Sequence, residues 1–563
     1  MYRKTLFLIL VFLTTTISFA PAQQQSWQIS VDLKDTLGPL TAVWASFGYD
    51  EPNATTTPDG LKLLGTLSHL GSVPVYVRTH NLLTTGDGSY SLKWGSTNVY
   101  TEDSNGHPVY RWKILDSIFD AIVSRGMKPV AEIGFMPEAL SAHPTPYRHH
   151  WKPGMPYDEV YTGWAYPPTD YHKWSLLIYQ WVAHAVKRYG RREVESWYWE
   201  VWNEPNISYW KGTPEAYFKL YDYTARAVKK ACPGAPIGGP AVTGPGGKGA
   251  ARFLEDFLKH CDTGRNAATG KRGAPLDFIS FHAKGSPRFL DGHVRMNLAP
   301  ELRDAQQGFR IVASTRFKNL PVFITEFDPE GCAACGMTTN PENAYRNGTM
   351  YSSYTAAVFC RLYDLAAKYR IHLVRATSWA FEFEGQPWFD GFRSLATHGI
   401  DKPVLNIFQM YGMMQGERIG IHNPRELPLD SLLQNSVPAG TPDVHALASE
   451  GNQEAAVMVW NYADADVPRP PAPVTLTINH IPSSRIRVTD FRIDKKHSNA
   501  YAVWKQMGSP QRMTESQYKI LEQSGQLQMI TSPHWITTRQ GTATLTFSLP
   551  AEGVSLVKVN FGG

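Results

Sequence analysis

The sequence predicts an α/β protein, a (β/α)8 TIM barrel joined to a C-terminal β-sandwich. Strand-like and helix-like segments alternate from about residue 42 to residue 414, which is typical of βα units and a parallel sheet. Eight of these segments have strand character, the number that closes such a barrel. Beyond Arg418 the pattern changes to short runs of alternating polarity between Pro and Gly turns, which favours a β-sandwich.

The first residues are typical of a secretory signal. Arg3 and Lys4 precede an apolar stretch over 6–13, and Ala20-Pro21-Ala22 supplies a small-x-small cleavage site. A membrane anchor is the alternative, but this stretch is shorter than the ~20 residues that a transmembrane helix needs. We therefore expect residues 1–22 to be removed and the mature protein to be secreted or periplasmic, with no membrane partner.

The barrel is predicted over residues 35–417. Its strands are apolar, β-branched or aromatic runs at 42–49, 73–80, 128–135, 196–203, 237–242, 278–282, 322–326 and 374–381. Amphipathic helices are predicted at 112–124, 171–189, 214–230, 250–260 and 341–369. Since the carboxyl ends of barrel strands carry the catalytic groups, candidate residues are sought there.

The accessory domain is predicted over residues 418–563. A Pro-rich passage at 423–442 leads into strands at 455–462, 474–479, 485–493, 543–548 and 555–560. The early run 27–33 alternates in the same way and could add a strand to this sandwich.

Composition argues against several kinds of partner. The formal net charge of +5 is spread over 563 residues without a basic run, so no nucleic-acid partner is predicted. Cys332-Ala-Ala-Cys335 could form a disulfide, because export permits one. As half of a zinc site it would need a second ligand pair, which the sequence does not offer, so no metal is predicted.

Two glutamates stand at the ends of predicted strands. Glu204 follows the fourth strand within Trp202-Asn203-Glu204-Pro205-Asn206, and Glu326 ends the seventh strand. Each has a simpler interpretation: Glu204 could cap the helix that starts near Thr213-Pro214, and Glu326 could be a surface residue. Their pairing favours catalysis, because strands four and seven face each other across a barrel mouth. Two carboxylates about 5–5.5 Å apart there would cleave a glycosidic bond with retention of anomeric configuration.

Further motifs resemble glycoside hydrolase family 39, the retaining β-xylosidases and α-L-iduronidases. The matching stretches span nearly the whole mature chain: 76–80 (YVRTH), 128–137 (KPVAEIGFMP), 202–206 (WNEPN), Phe281-His282, Glu326, 399–403 (GIDKP), 494–499 (DKKHSN) and 504–510 (WKQMGSP). The resemblance implies Glu204 as acid/base and Glu326 as nucleophile. It implies no cofactor and an oligosaccharide as the substrate.

The same resemblance suggests residues that bind the sugar. Arg78 would keep Glu326 ionised, and Asn203, His80 and His282 would contact hydroxyl groups. Trp379 resembles the aromatic floor of the pocket. Glu384 resembles an acidic residue that holds sugar hydroxyls, with Glu382 as its competitor.

The identity of the sugar stays open at this point. Lys284, two residues after His282, and Arg393 resemble an arrangement that holds a uronic acid carboxylate. By contrast, 399–403 and 497–499 resemble bacterial xylosidases. We expect a retaining exo-acting β-xylosidase, with an α-L-iduronidase-like uronidase as the first alternative. A carbohydrate-binding protein without turnover is the second.

Overall fold

The computed structural model describes residues 25–379 and 381–562. The predicted signal segment and its cleavage site lie outside the described residues. Within them, no helix has both the length and the hydropathy that crossing a bilayer requires.

A nearly closed parallel sheet forms the centre of the N-terminal part. In chain order its strands are Ser46–Tyr49, Tyr76–Thr79, Lys128–Ile133, Tyr198–Val201, Ile237–Val242, Phe278–Lys284, Val322–Asp328, Leu373–Ala376 and Ser378–Trp379. Each of the first seven pairs in parallel with the next, and Ser378–Trp379, just beyond the eighth strand, pairs in parallel with Ser46–Tyr49. The prediction of an α/β fold built on a parallel sheet is therefore confirmed, and the carboxyl ends of its strands meet at one edge.

Helices follow most of these strands. Their bounds are Pro58–Leu67, Lys113–Val123, Tyr171–Tyr189, Arg191–Val194, Pro214–Ala231, Lys248–Thr263, Ala299–Ala313, Thr349–Tyr369 and Pro403–Gly412. Short 3-10 turns lie at Pro52–Thr56, Glu138–Leu140, Tyr157–Val160, Gly163–Ala165 and Pro341–Asn347. Three small hairpins pair Tyr100–Glu102 with Pro108–Tyr110, Arg288–Leu290 with His293–Arg295, and Ala396–Thr397 with Ile400–Asp401. The single helix predicted over 341–369 is divided at Gly348, whose extended backbone separates the 3-10 turn from the α-helix.

A second, mostly antiparallel sheet contains the C-terminal strands and the first one. Its strands are Trp27–Pro39, Glu417–His422, Asp443–Gly451, Glu454–Tyr462, Ala472–Asn479, Arg485–Ile493, Gln528–Met529, His534–Thr537, Ala543–Leu549 and Val554–Asn560. Trp27–Pro39 lies between Glu417–His422 and Ala472–Asn479. Leu476 and Ile486, from distant strands of the sheet order, belong to one hydrophobic core. The other face of the sheet contributes Met458 and Leu556 to the core that surrounds the parallel sheet.

Three helices in the C-terminal part were not predicted: Leu429–Asn435, Ala500–Gln506 and Glu515–Gly525. Two of them have clear start signals. Asn499 accepts a hydrogen bond from the backbone N–H of Ala502, and Thr514 with Gln517 forms a capping box. Trp504 and Leu521 pack against Trp388, so these helices cover the segment that follows the last strand of the parallel sheet.

Candidate active site

The two candidate glutamates converge at the carboxyl edge of the parallel sheet. Glu326 lies near the end of Val322–Asp328, and Glu204 lies three residues beyond Tyr198–Val201. One carboxylate oxygen of each lies within 4.8 Å of the other. Both side chains line one cleft of about 780 Å³, large enough for a short oligosaccharide.

The backbone before Glu204 is held in an unfavourable conformation. Trp202 and Glu204 have φ values of 69° and 43°, in the left-handed region that costs a non-glycine residue about 1–3 kcal/mol. The backbone N–H of Glu204 donates to Ala241 O at 2.9 Å, and the indole N–H of Trp202 donates to Tyr209 O at 2.9 Å. These bonds direct the carboxyl group into the cleft.

Glu204 is not a helix cap. The helix Pro214–Ala231 is capped by Thr213, whose hydroxyl accepts from the backbone N–H of Ala216 at 3.2 Å. The simpler interpretation of Glu204 is therefore wrong.

Glu326 is buried among cationic side chains. Its Oε2 lies 2.7 Å from Lys284 Nζ, and its Oε1 lies 3.2 Å from Arg78 Nη1, 3.6 Å from His80 Nε2 and 3.7 Å from His282 Nδ1. Burial alone would raise the pKa of this carboxyl, but His282, Lys284 and Arg78 hold the pKa well below its usual range. Glu326 is therefore kept as a carboxylate.

Arg78 is fully buried and joins several candidate residues. It donates to Glu200 Oε2 at 2.5 Å and to Asn203 Oδ1 at 3.0 Å, and it lies 3.2 Å from Glu132 Oε2. Burial would lower the pKa of the guanidinium, but Glu200, Glu132 and Glu326 raise it. The fixed guanidinium positions Asn203 and Glu326 at the same edge of the sheet.

His80 lies between two carboxylates. Its Nδ1 is 2.8 Å from Asp50 Oδ1 and its Nε2 is 2.8 Å from Glu132 Oε2. Burial would lower the pKa of this imidazole, yet Glu132 and Asp50 raise it to about 9. His80 is therefore cationic at neutral pH and adds to the positive field at Glu326.

Trp379 covers this charged group from the last strand. Its ring centroid is 4.4 Å from that of His80, and the Arg78 guanidinium carbon is 5.1 Å from the indole. A Cβ on Gly48 would lie 2.4 Å from the indole, so only glycine permits this close approach. Trp379 also lines the cleft, where an aromatic face could stack against a sugar ring.

His282 and Lys284 project from the end of Phe278–Lys284. Because side chains two apart on a strand share a face, both point toward the glutamates. His282 Nδ1 lies 2.9 Å from Glu204 Oε1. Lys284 also forms a close ion pair with Asp328, and although burial would lower the pKa of Lys284, Asp328 and Glu326 raise it. Lys284 is thus a cleft-lining cation that is already neutralised.

Three other residues named from the sequence lie away from the cleft wall. Arg393 is fully buried and donates to backbone oxygens of Trp379 and Gly331 at 2.8 and 2.9 Å. Glu382 is buried and accepts from the backbone N–H of Gly399 at 2.8 Å. Glu384 is half-buried, and the structure does not place it among the residues that line the cleft. The proposed sugar contacts of Arg393 and Glu384 stay predictions that this geometry does not support.

Further residues line the cleft. Cys332 and Cys335 form the disulfide that the sequence left open, and both lie on the cleft wall. Asp50, Lys93 and Asp304 line it as well. Asp50 could have been found, because it directly follows the strand Ser46–Tyr49, whereas Lys93 and Asp304 carry no comparable signal.

A metal ion would find ligands here, since one donor atom each from Glu204, His282 and Glu326 lies within 4.8 Å of the others. Lys284 and Arg78 already contact both oxygens of Glu326, so a divalent ion would have to compete with two fixed cations. The absence of a metal stays a prediction.

The known proteins to which this chain is similar include β-xylosidases and α-L-iduronidases. A β-xylosidase of Geobacillus stearothermophilus is 27% identical over 500 residues, covering 86% of each chain. An α-L-iduronidase of Mus musculus is 23% identical over 583 aligned positions, covering 97% of this chain and 82% of that protein. The crystal structure of a monomeric β-xylosidase from Caulobacter crescentus CB15 has a similar fold, with a TM-score of 0.73 at 23% identity over 96% of this chain and 100% of that one.

The family resemblance predicted from the motifs is confirmed by a match over almost the whole chain. The sequence profile described as "Glycosyl hydrolases family 39" covers residues 27–541, which include the parallel sheet and most of the second sheet. This chain belongs to glycosyl hydrolases family 39.

Proposed function

We propose that the protein is a retaining, exo-acting β-xylosidase that cleaves xylo-oligosaccharides through a covalent glycosyl-enzyme intermediate. The separation of the Glu204 and Glu326 oxygens, within 4.8 Å, carries the retaining mechanism in this proposal. Retaining enzymes hold their carboxyl groups about 5–5.5 Å apart, whereas inverting enzymes need about 6.5–9.5 Å to admit a water molecule. The short separation supports direct attack by one carboxylate on the sugar.

In the first step Glu326 attacks the anomeric carbon while the bond to the leaving oxygen breaks. Glu204 gives its proton to that oxygen. In the second step Glu204 takes a proton from water, the water oxygen bonds to the anomeric carbon, and Glu326 leaves as a carboxylate. Lys284 and Arg78 favour the ionised form of Glu326 before attack and after release.

The charges that line the cleft favour a neutral sugar over an acidic one. The lining carboxyl groups belong to Asp50, Glu204, Asp304 and Glu326, and the lining lysines are Lys93 and Lys284. Lys93 is paired with Asp50, and Lys284 is paired with Glu326 and Asp328. A bound carboxylate would have to displace one of these partners, because neither lysine is free. Xylose has no carboxylate, so its binding would leave both ion pairs intact.

A uronidase is the second candidate, because Lys284 does reach the cleft and an α-L-iduronidase is among the relatives. Aryl β-xyloside and aryl α-L-iduronide hydrolysis on one preparation separates the two. We expect the xyloside to be hydrolysed and the iduronide to be resistant. NMR of the first-formed xylose should show the β anomer; the α anomer would exclude the retaining mechanism.

Replacing Lys284 with methionine should move the acidic limb of the pH–rate profile to higher pH. Glu326 must be ionised to attack, so activity falls as the pH drops through its pKa. Lys284 holds that pKa low, and its removal lets the pKa rise. The measurement is kcat/KM for an aryl β-xyloside from roughly pH 4 to 8.

The exposed lysine of the Lys519–Glu515 pair offers a control, and Lys519→Met should leave the profile unchanged. An unshifted acidic limb in Lys284→Met would mean that Lys284 does not govern the ionisation of Glu326. Loss of iduronide hydrolysis with intact xyloside hydrolysis would favour the uronidase instead.

Export of the mature protein is also proposed, on the sequence signal alone. We also propose the finer description of the fold, a closed (β/α)8 barrel with an accessory β-sandwich. The near closure of the parallel sheet and the shared core of the second sheet support that description.

A further inference from the structure

A buried charge pair on the cleft wall has no part in the mechanism above. Lys93 and Asp50 form a close ion pair, and both line the cleft that contains Glu204 and Glu326. Asp50 and Lys93 are 5% and 9% exposed. A buried lysine is rare and costly unless it is paired, so its position calls for an explanation.

One side chain lies between Asp50 and the proposed nucleophile Glu326. The imidazole of His80 separates Asp50 from Glu326, with contacts of 2.8 Å on one side and 3.6 Å on the other. Asp50 is therefore separated from Glu326 by one ring and two contacts, which is similar to the span of a monosaccharide. A sugar whose anomeric carbon faces Glu326 would present its opposite end to Asp50 and Lys93.

Lys93 is held in place by its own backbone. Its φ of 56° is in the left-handed region, its N–H donates to Glu51 Oε1 at 2.8 Å, and its carbonyl lies 3.0 Å from His149 Nε2. Non-glycine residues in this region are strained, and such strain concentrates at ligand-binding positions. The ammonium group is thus fixed at the wall before any sugar arrives.

We propose that Asp50 and Lys93 bind the hydroxyl groups of the glycone that lie farthest from the anomeric carbon. This inference rests on the proposed function and assigns the two residues as determinants of glycone specificity. An ammonium has three donors and a carboxylate about four acceptor positions, so each partner keeps capacity after pairing with the other. Together they can donate to one hydroxyl and accept from its neighbour, which matches the vicinal diol at positions 3 and 4 of a pyranose.

The mutual neutralisation of the pair adds selectivity. A sugar hydroxyl can join the Asp50–Lys93 pair without breaking it, whereas an anionic substituent would have to displace Asp50 to reach the ammonium group of Lys93. The pair therefore selects neutral hydroxyls at this end of the pocket.

The test compares parent and deoxy substrates. We would measure kcat/KM of the wild-type enzyme, Lys93→Met and Lys93→Arg for 4-nitrophenyl β-xyloside and its 3-deoxy and 4-deoxy analogues. A charge-assisted hydrogen bond is worth a factor of about 10 to 100 in kcat/KM, so the wild-type kcat/KM should be lower by that factor for at least one analogue than for the parent. The kcat/KM of Lys93→Met for the parent xyloside should fall by a similar factor, and its values for parent and analogues should differ little. Lys93→Arg should retain part of the wild-type difference between parent and analogues.

A purely structural role gives a different result. Lys93→Met would then lower kcat/KM for parent and analogues by the same factor, so the ratio between them would match the wild-type ratio, and the proposal would be overturned. The ratio is taken within each variant, so partial loss of folded protein cancels, and Lys519→Met again serves as the surface control. If the wild-type enzyme cleaves another glycoside and no xyloside, the proposed function falls, and deoxy analogues of the cleaved sugar decide this inference separately.

Discussion

Replacing Glu326 with alanine is expected to abolish turnover of β-xylosides, lowering kcat by between about 10⁴- and 10⁶-fold, as loss of a catalytic nucleophile does elsewhere. The reason is that this carboxylate is placed and charged to form the glycosyl ester. Its oxygens contact Lys284 and Arg78 at 2.7 and 3.2 Å, so it is ionised at the pH of reaction. The measurement is kcat on an aryl β-xyloside, whose good leaving group makes the first step insensitive to Glu204.

The controls separate chemistry from folding. Glu326→Gln keeps the shape of the side chain and should be equally inactive, and the exposed Glu255→Gln should behave as the wild type. Circular dichroism and thermal unfolding should show that the folded state persists in Glu326→Gln. Azide added to Glu326→Ala should restore bond cleavage and give the α-xylosyl azide, because a single displacement inverts the anomeric carbon. Near wild-type activity in a folded Glu326 variant would refute the assignment.

The site was predictable from sequence where strand geometry alone decides the position of a side chain. Glu326, His282 and Lys284 end apolar runs that form parallel strands, so they meet at one edge whatever the intervening helices do. The spacing of two residues between His282 and Lys284 puts both on one face. Applying the same spacing to Glu326 would also have identified Asp328, which pairs with Lys284.

Loop residues could not be placed in this way. Lys93 reaches the cleft through a left-handed backbone in a segment without periodicity, and Arg393 was expected at the rim but turns inward to backbone carbonyls. No residue pattern shows which side of a loop faces a cavity. Asp304 reaches the cleft from the helix Ala299–Ala313, and it accepts hydrogen bonds from the backbone of Lys284 and Gly246, contacts that only the folded chain creates.

In the C-terminal part of the chain the strands are easier to predict from the sequence than the helices. Its strands follow the period of two closely, as in Ala472–Asn479, where buried and half-buried residues alternate. The helix Glu515–Gly525 buries little of its surface, so its apolar periodicity is weak and only the capping box of Thr514 and Gln517 marks it. Strand patterns dominate the sequence there, and the capping box is a short local signal that no strong apolar periodicity reinforces.

Replacing Glu204 with alanine should produce a loss that depends on the leaving group. Glu204 approaches the leaving oxygen from the far side of the sugar relative to Glu326 in the proposed mechanism, and His282 Nδ1 at 2.9 Å fixes its orientation. General acid catalysis contributes about 10²- to 10⁴-fold. Xylobiose, whose leaving group is a poor one, should therefore lose kcat/KM across that range, while 2,4-dinitrophenyl β-xyloside, which needs no protonation, should retain most of it.

The second step supplies an independent check on the same residue. Without Glu204 no base activates water, so the glycosyl-enzyme on Glu326 should accumulate and hydrolysis of the activated xyloside should show a burst followed by a slow steady state. Azide, which needs no general base, should relieve the slow step and yield the β-xylosyl azide, because it completes the second of two inversions. Equal losses on xylobiose and the activated xyloside, or an α azide, would show that Glu204 does not act as acid and base opposite a Glu326 nucleophile. The two azide products thus discriminate the two glutamates. An α azide from the Glu326 variant together with a β azide from the Glu204 variant arises only if Glu326 forms the ester and Glu204 moves the proton.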